Sequence, residues 1–215
     1  TDKRIGKYFL NPGPGFGGSC FKKDILNLVY ICNHYGLYEV SNYWEKVISI
    51  NDWQSKRILN IIVEKLFGTV SDKKISILGF SFKANTNDTR ESPAIRICNG
   101  LLEEGAFLQI YDPQVSEIQI KKDLGENSKK LEDRNLLGNW GYFKSIYSAA
   151  EGTDAVVIIT EWDEFKNLDW EKLSKSMRSP AWVFDTRSIS NLDEANLYGI
   201  NVWRIGTDDS LLNNF

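Results

Sequence analysis

A cysteine and an aspartate four residues apart are the first candidates for chemistry in this sequence. Cys20 ends the stretch PGPGFGGSC (residues 12–20), and Asp24 follows it. On a helix this spacing places the thiol and the carboxylate on one face. A thiolate beside a carboxylate suits covalent acyl chemistry, in which the carboxylate activates the water that releases the acyl group. The alternative interpretation is a surface Asp24 that stabilises the helix dipole.

The glycines before this cysteine raise the question of a dinucleotide site. Gly13, Gly15 and Gly18 satisfy the pattern G-x-G-x-x-G. A dinucleotide fingerprint follows a strand and opens the helix of a βαβ unit, whereas here two prolines interrupt the glycines and a long helical pattern follows. We therefore predict a flexible loop at a helix N-terminus, which favours an anion and the thiolate of Cys20. A structural loop with a buried cysteine is the alternative.

A second phosphate candidate is the stretch LGFSFKANTNDTRES, which begins at Leu78. It lacks the second and third glycines of a dinucleotide fingerprint. It places Lys83 and Arg90 just past the end of a predicted strand, where a doubly wound sheet binds its ligands. Solvated surface positions for both cations are the alternative.

The composition limits the class of protein. The 215 residues are 42% hydrophobic, which suits one domain with an appendage or two small domains. A net charge of −3 argues against a nucleic acid or a membrane surface bound by charge alone. No apolar run approaches the ~18 residues of a membrane span. Three cysteines without a C-x-x-C pair indicate free thiols in an intracellular, cytoplasmic protein, and the single His34, expected at the surface or at a helix end, argues against a His-rich metal site.

Hydrophobic periodicity predicts an α/β fold in two parts. A helix capped by Ser19 and stopped by Gly36 precedes a long helical connector at 39–67. Strands then alternate with helices, which indicates a Rossmann-like, doubly wound parallel sheet. The predicted strands lie at 73–80, 106–112, 154–160, 181–185 and 200–206, and the predicted helices at 92–104, 147–151, 169–177 and 192–198. The charged stretch 116–139 is predicted to be a solvated surface excursion, and the domains are 1–70 and 71–215.

Several segments together resemble one family over residues 1 to about 206. RIGKYFLNPGPGFGGSCFKKD closely resembles the catalytic-cysteine segment of the nucleotide-sugar dehydrogenases, and the GFGGSC-x-x-KD core is specific to them. ITEWDEF and the Trp-rich connector point to the UDP-glucose 6-dehydrogenase branch. Further matching segments, in the family's order, are ILGFSFKANTNDTRES, IYDPQV and FDTR.

The resemblance implies an architecture and a reaction. The family has an N-terminal NAD-binding domain, which we expect upstream of Thr1 and absent here, a central helix used for dimerisation (39–67 in this chain) and a C-terminal UDP-sugar domain. It oxidises UDP-glucose to UDP-glucuronate with two NAD through a thiohemiacetal and a thioester. Cys20 matches the nucleophile, and Asp24 matches the carboxylate that positions or activates the water. Because this chain holds only part of the family's catalytic residues, we expect it to bind UDP or UDP-glucose weakly without turnover.

The resemblance also assigns binding residues. Phe82 and Lys83 match a substrate pair at the first βα turn, with Lys83 on the pyrophosphate, and Arg187 matches a substrate-binding arginine. Arg4 matches an arginine that reaches the ligand of the neighbouring subunit of a homodimer. Lys23 and Arg90 match residues on the NAD side of the cleft. The segment that wraps the uridine and the sugar is Phe9, Leu10, Asn11, Pro12, Gly13, Pro14, Gly15, Phe16 and Gly17.

Two positions depart from the family pattern, and two other functions stay open. Lys22 occupies a slot that is often Gln or Pro, so it receives no role. Thr186 replaces a small residue and is not expected to move Arg187. The first alternative is a sister dehydrogenase for UDP-N-acetylmannosamine or GDP-mannose. The second, from another class, is a non-catalytic UDP-sugar-binding or dimerisation module.

Overall fold

Two helices follow the glycine-rich segment. The computed structural model describes residues 11–125 and 138–206. Helix α1 spans Phe21–His34 and helix α2 spans Tyr38–Lys65. The long connector was predicted at 39–67, so the prediction is confirmed to within two residues. Among the described residues, no helix has the length and apolar character that crossing a membrane requires.

The start of α1 differs from the prediction and its end agrees with it. Cys20, not Ser19, is the N-cap, and no side chain caps the helix. The Ser19 hydroxyl lies 3.6 Å from the Cys20 sulfur instead. At the other end Gly36 has φ +71°. The backbone N–H of Leu37 donates to the carbonyl of Cys32, which closes the turn as glycine C-caps do.

The described strands form one parallel sheet of the doubly wound type. Its order is β3-β2-β1-β4-β5-β6, and every pair is parallel. The order in which successive strands are added to the sheet thus reverses between β1 and β4. This is the switch point at which such sheets bind ligands. The predicted fold class is confirmed. The strands are β1 Lys74–Leu78, β2 Phe107–Tyr111, β3 Asn139–Tyr142, β4 Ala155–Ile158, β5 Trp182–Asp185 and β6 Asn201–Arg204.

Helices cover both faces of this sheet, and they divide its core in two. Helix α2 packs its C-terminal half on one face with the buried Ile58 and Ile62, beside α3. The shorter helices that follow β3 enclose the other face, around Phe165 and Trp170. The helices after α2 are α3 Pro93–Glu103, α4 Glu117–Leu124, α5 Ile146–Ala150, α6 Trp170–Ser176 and α7 Leu192–Leu197.

The described part of the stretch 116–139 agrees with the predicted surface position but is more regular than predicted. It contributes the surface helix α4, whose Ile120 is fully buried, and residue 139 begins β3, where Trp140, just past the stretch, is buried. Only two residues of α4 are buried, so its apolar pattern is too sparse to read from the sequence. Residues 126–137 of the prediction lie outside the described residues.

A buried carboxylate holds the carboxyl end of β1. Asp112, which follows β2, is 1% exposed. Its Oδ2 accepts hydrogen bonds from the backbone N–H groups of Phe80 (2.7 Å) and Ser81 (3.0 Å) and from the indole Nε1 of Trp162 (3.2 Å). Its Oδ1 accepts from the N–H of Val115 at 3.0 Å. This carboxylate joins the segments that follow β1, β2 and β4.

Replacing this carboxylate will destabilise the fold. Asp112→Ala leaves several buried donors without an acceptor, so we expect the free energy of unfolding to fall by about 3 kcal/mol or more. Urea denaturation of the 215-residue chain measures it. The matched control is Asp163→Ala, which removes an exposed carboxylate paired with Lys166, with an expected change within about 0.5 kcal/mol. Equal changes in the two variants would contradict the role given to Asp112.

Candidate functional site

Polar side chains of α2 seat the glycine-rich segment. Asn51 accepts from the N–H of Phe16 at 2.7 Å and donates to the carbonyl of Phe16 at 3.1 Å. Gln54 donates to the carbonyl of Gly13 at 3.0 Å, and Ser55 to that of Pro14 at 2.8 Å. The three side chains are three and four positions apart, so they share one face of α2. The segment is therefore fixed to a rigid helix.

The glycines of this segment allow close backbone packing. A Cβ on Gly17 would lie 2.5 Å from the carbonyl oxygen of Glu91, and one on Gly18 would lie 3.0 Å from the ring of Phe82. Gly15 has φ +123°, and a Cβ there would lie 2.8 Å from Oδ1 of Asn51. Two helices and no strand follow the segment as far as residue 73. The glycine pattern therefore does not begin a βαβ dinucleotide unit.

Cys20 and Asp24 occupy the first turn of α1. The backbone N–H of Asp24 donates to the carbonyl of Cys20 at 2.8 Å, and both residues are exposed. The other two cysteines, Cys32 and Cys98, are buried. Burial raises the pKa of the Cys98 thiol far above its ordinary value. Cys20 is thus the one cysteine of this chain that solvent reaches, and the alternative of a buried cysteine is wrong.

The turn after β1 lies against the glycine segment. The N–H of Gly18 donates to the carbonyl of Arg90 at 2.8 Å. The Lys83 ammonium is 5.4 Å from the centroid of the Phe82 ring, within the range of a cation–π contact. Phe82 therefore packs against the glycine segment and also contacts a cation.

Arg90 connects this turn electrostatically to the thiol. Its guanidinium makes a bidentate hydrogen bond with Asp88, at 2.7 to 3.1 Å, and this bond lowers the pKa of Asp88. The pKa of Arg90 is raised, mainly by Asp88 and to a smaller extent by the charge of Cys20. Arg90 is thus an exposed cation within electrostatic range of the sulfur.

Arg187, which follows β5, lies against both the glycine segment and the turn after β1. Its Nε donates to the carbonyl of Ile159 at 2.6 Å and lies 3.1 Å from a carboxylate oxygen of Glu161. Its Nη2 donates to the carbonyl of Phe82 at 3.4 Å, and a Cβ on Gly13 would lie 3.1 Å from its Nη1. Burial lowers the pKa of Arg187 while Glu161 opposes this, and a guanidinium so paired stays charged at neutral pH.

Thr186, the residue before this arginine, does not displace it. Thr186 is buried, and its hydroxyl donates to the carbonyl of Ile158 at 2.7 Å. The carboxylate of Asp185 accepts from the N–H of Arg187 at 2.9 Å and from that of Ser190 at 2.8 Å. The turn after β5 is therefore built by local hydrogen bonds that tolerate the threonine.

The described structure assembles most of the predicted site. Contacts join the glycine segment, Phe82 and Arg187, and Lys83 and Arg90 lie on the same turn, at the carboxyl ends of β1, β4 and β5. Asn11 and Pro12 are exposed at the start of the segment, and Lys23 is exposed on α1. Three predicted residues lie outside the described residues: Arg4, Phe9 and Leu10.

Sequence reasoning missed the residues that hold the site together. These are Asn51, Gln54 and Ser55 on α2, and Glu161 beside Arg187. A signal for Asn51 and Ser55 was present, because both are polar positions four apart that precede the apolar Ile58 and Ile62 on the buried face of the same helix. Glu161 lies in the matching segment ITEWDEF, but the sequence does not show its pairing with Arg187, since that arginine follows a different strand.

The first amides after β1 are already paired. In dinucleotide folds the amides of this turn and the following helix N-terminus bind a pyrophosphate. Here the N–H groups of Phe80 and Ser81 donate to Asp112, and the N–H of Ala94 at the start of α3 donates to the hydroxyl of Ser92 at 3.2 Å. These three amides are therefore not free for a phosphate at this sheet edge. In the described parts of the chain, no three His, Cys, Asp or Glu residues are grouped as a metal site would require.

The chain matches two family models in order along its length. Residues 76–192 match the UDP-glucose/GDP-mannose dehydrogenase family, UDP binding domain. Residues 1–53 match the central domain of the same family. The central-domain match ends within α2, and the UDP-binding match runs from within β1 to the start of α7.

Curated plant proteins are similar to nearly the whole chain. UDP-glucose 6-dehydrogenase 2 of Arabidopsis thaliana is 49% identical over 218 residues, which cover 96% of this chain and 45% of the relative. UDP-glucose 6-dehydrogenase 1 of Glycine max is also 49% identical, with the same coverage. The chain therefore spans less than half the length of these relatives.

Solved structures share the fold. A UDP-glucose dehydrogenase from the archaeon Pyrobaculum islandicum aligns with a TM-score of 0.71 and 26% identity, over 94% of this chain and 40% of that one. A UDP-D-ManNAc dehydrogenase from Pyrococcus horikoshii aligns with a TM-score of 0.63 and 26% identity, over 91% and 40%. These likenesses confirm the resemblance drawn from the sequence. Because the UDP-binding model alone covers more than half of its residues, the chain belongs to the UDP-glucose/GDP-mannose dehydrogenase family.

Proposed function

We propose that the full gene product containing this chain is an NAD-dependent UDP-glucose 6-dehydrogenase, which oxidises UDP-glucose to UDP-glucuronate. The observation that carries the proposal is the exposed Cys20 at the start of α1. This cysteine directly follows the glycine segment, which packs on Phe82 and Arg187. The plant relatives, 46 to 49% identical, favour UDP-glucose over the sugars of the sister enzymes.

The nucleotide-sugar binds across the carboxyl ends of the central strands in this proposal. Arg187 and Lys83 supply positive charge for the pyrophosphate. Phe82 and the loop 9–17 enclose the uridine and the sugar. Arg4 reaches the ligand of a second subunit. The cations suit a diphosphate because charge-assisted hydrogen bonds are the strong ones at such sites.

Cys20 and Asp24 carry the covalent chemistry. The sulfur adds to the aldehyde carbon at C6, and the carbonyl oxygen takes a proton, which gives a thiohemiacetal. Loss of a hydride and of that proton leaves a thioester, which water cleaves to the carboxylate and the free thiol. Asp24, one helical turn along, positions or activates this water. Two hydrides leave C6 in total, and one oxygen enters from water.

One side of an NAD site is also present in the chain. Arg90, exposed beside Cys20, and Lys23 on α1 fit the phosphates of a dinucleotide by charge and by exposure. NAD, when bound, accepts the hydrides that leave C6. The three unpaired cysteines support a further proposal, that the protein works in the cytoplasm.

The helical connector forms a homodimer in our proposal. Five apolar or aromatic side chains of α1 and α2 are each more than half exposed: Tyr30, Tyr38, Tyr43, Ile50 and Trp53. A patch of this kind on a folded chain marks an interaction surface. The alternative is that it packs on another domain of the same protein.

Arg187 provides a direct test of ligand binding. We expect Arg187→Gln to weaken UDP binding by the 215-residue chain about tenfold or more, because a charge-assisted hydrogen bond to phosphate is lost. Isothermal titration calorimetry measures the dissociation constant. Arg178→Gln is the matched control, since Arg178 pairs with Asp154 before β4, at the opposite end of the sheet. Equal affinities of the two variants would remove Arg187 from the site.

Cys20 provides the test of catalysis. In the full gene product, Cys20→Ser is expected to lower kcat for UDP-glucuronate formation by about 10³-fold or more, since no equivalent nucleophile remains. UDP affinity should be unchanged. Cys32→Ala, at a buried cysteine of the same helix, is the control. Unaltered turnover in Cys20→Ser would favour the non-catalytic binding module, and a substrate panel with GDP-mannose and UDP-N-acetylmannosamine separates the sister enzymes.

Sedimentation tests the homodimer. The 215-residue chain is expected to sediment as a dimer, and Trp53→Asp to shift it to the monomer, because a charge replaces an exposed ring of the apolar patch. Ile118→Asp on α4, where the side chain is 81% exposed, is the control. A wild-type chain that stays monomeric at high concentration would leave the alternative of an intramolecular domain contact.

A further inference from the structure

Four charged side chains link the two helices to the sheet. Lys22 of α1 lies 2.9 Å from Oε2 of Glu91, on the turn after β1. Arg96 of α3 lies 3.1 Å from the same oxygen and 2.9 Å from Oδ1 of Asp52 on α2. We call this group, Lys22, Glu91, Arg96 and Asp52, the charge clamp. It connects α1, the turn, α3 and α2 in one chain of ion pairs.

Glu91 is the centre of the charge clamp and also contacts the glycine segment. Its backbone has φ +54°, a left-handed conformation that a residue with a Cβ rarely adopts. This conformation accompanies the close approach of its carbonyl oxygen to Gly17, and the carbonyl of Arg90 just before it accepts the N–H of Gly18. A single residue thus meets the segment through its backbone and α1 through its carboxylate.

We infer that Glu91 is a positioning residue for the thiol of Cys20, and this inference rests on the catalytic role proposed for that thiol. Lys22 is two residues beyond Cys20, so its ion pair fixes the first turn of α1. Arg96 ties the same carboxylate to α2, the helix that seats the glycine segment. The sulfur is thereby held relative to the turn that carries Phe82 and Arg90.

An isolated surface ion pair would be a weak argument for such a role. The charge clamp differs because one carboxylate oxygen receives both cations and because three of its four members lie on different helices. Its two cations are also partly covered, with Lys22 29% and Arg96 30% exposed, whereas Glu91 and Asp52 are 40% and 50% exposed. Breaking it therefore releases several elements at once, near the residue that the chemistry requires.

Position and charge can be separated, since the two partners have opposite charges. Glu91→Gln and Lys22→Gln both break the clamp. Glu91→Gln leaves an additional positive charge near the thiol, and Lys22→Gln leaves an additional negative one. The other charged groups on the two segments that flank the sulfur are Lys23 and Asp24 on α1, and Lys83, Asp88 and Arg90 on the turn.

The test compares both variants in the full gene product with Glu171→Gln, which breaks an exposed ion pair with Lys175 on α6. We expect kcat for UDP-glucose oxidation to fall about tenfold or more in both clamp variants, because small misplacements of a reacting group have effects of this size. KM should change less than about threefold. The pH of half-maximal Cys20 alkylation by iodoacetamide should move down in Glu91→Gln and up in Lys22→Gln.

Two outcomes would overturn the inference. If kcat rises in one variant and falls in the other, following the alkylation midpoint, the clamp acts through charge alone. If both variants match Glu171→Gln, it has no role. Hydrogen exchange of the Asp24 amide in the 215-residue chain adds a measurement that needs no turnover, and exchange is expected to be faster in both clamp variants. A wild-type protein that oxidises no nucleotide-sugar would refute the proposed function, while the exchange data still decide whether Glu91 fixes this turn.

Discussion

The site depends on how closely the glycine segment approaches the turn after β1. At Gly17 and Gly18 the backbone passes the carbonyl of Glu91 and the ring of Phe82 at distances that leave no space for a side chain. Hydrogen bonds with Asn51 and Ser55 hold the same segment on α2. Through these contacts the helix that carries Cys20 is fixed to the sheet, so that the proposed nucleophile and the proposed phosphate-binding edge, from different parts of the chain, lie together.

The sheet has the strand order of a dinucleotide fold, but two of the amides after its first strand are already paired. The carboxylate of Asp112 accepts from the N–H groups of Phe80 and Ser81, and Asp185 organises the turn after β5 in a similar way. Positive charge at this edge comes from side chains, chiefly Arg187 and Lys83. The same topology is compatible with the nucleotide-sugar site that we propose, because ligand chemistry is decided by the groups placed at the switch point.

The fold was largely predictable, and the reasons are local. Strand β4 is a continuous apolar run, and β1 is apolar from Ile75 to Leu78 except for the buried Ser76, a pattern typical of buried parallel strands. The prediction failed at Ser19, because the chain enters α1 with Cys20 already near the helical region and no cap hydrogen bond forms. It missed helix α4 within 116–139, because only Ile120 and Leu124 of that helix are buried among largely charged and polar neighbours, and only the tertiary structure shows this.

The site was predictable only where one segment contains it. Cys20, Asp24 and the glycines are close in sequence, and Phe82 and Lys83 follow a recognisable strand. Lys22 received no role from the sequence, although its partner Glu91 makes it part of the charge clamp. The pairing of Glu161 with Arg187 joins the ends of two strands. Such pairs depend on sheet order and helix packing, which a sequence pattern does not specify.

The left-handed backbone at Glu91 also sets two selective pressures against each other. A residue with a Cβ in this region costs about 1 kcal/mol relative to glycine. Selection for this backbone conformation alone would therefore favour glycine at position 91, which would remove the carboxylate that Lys22 and Arg96 share. A variant with glycine there would be relieved of the backbone strain and would lose the connection between its helices.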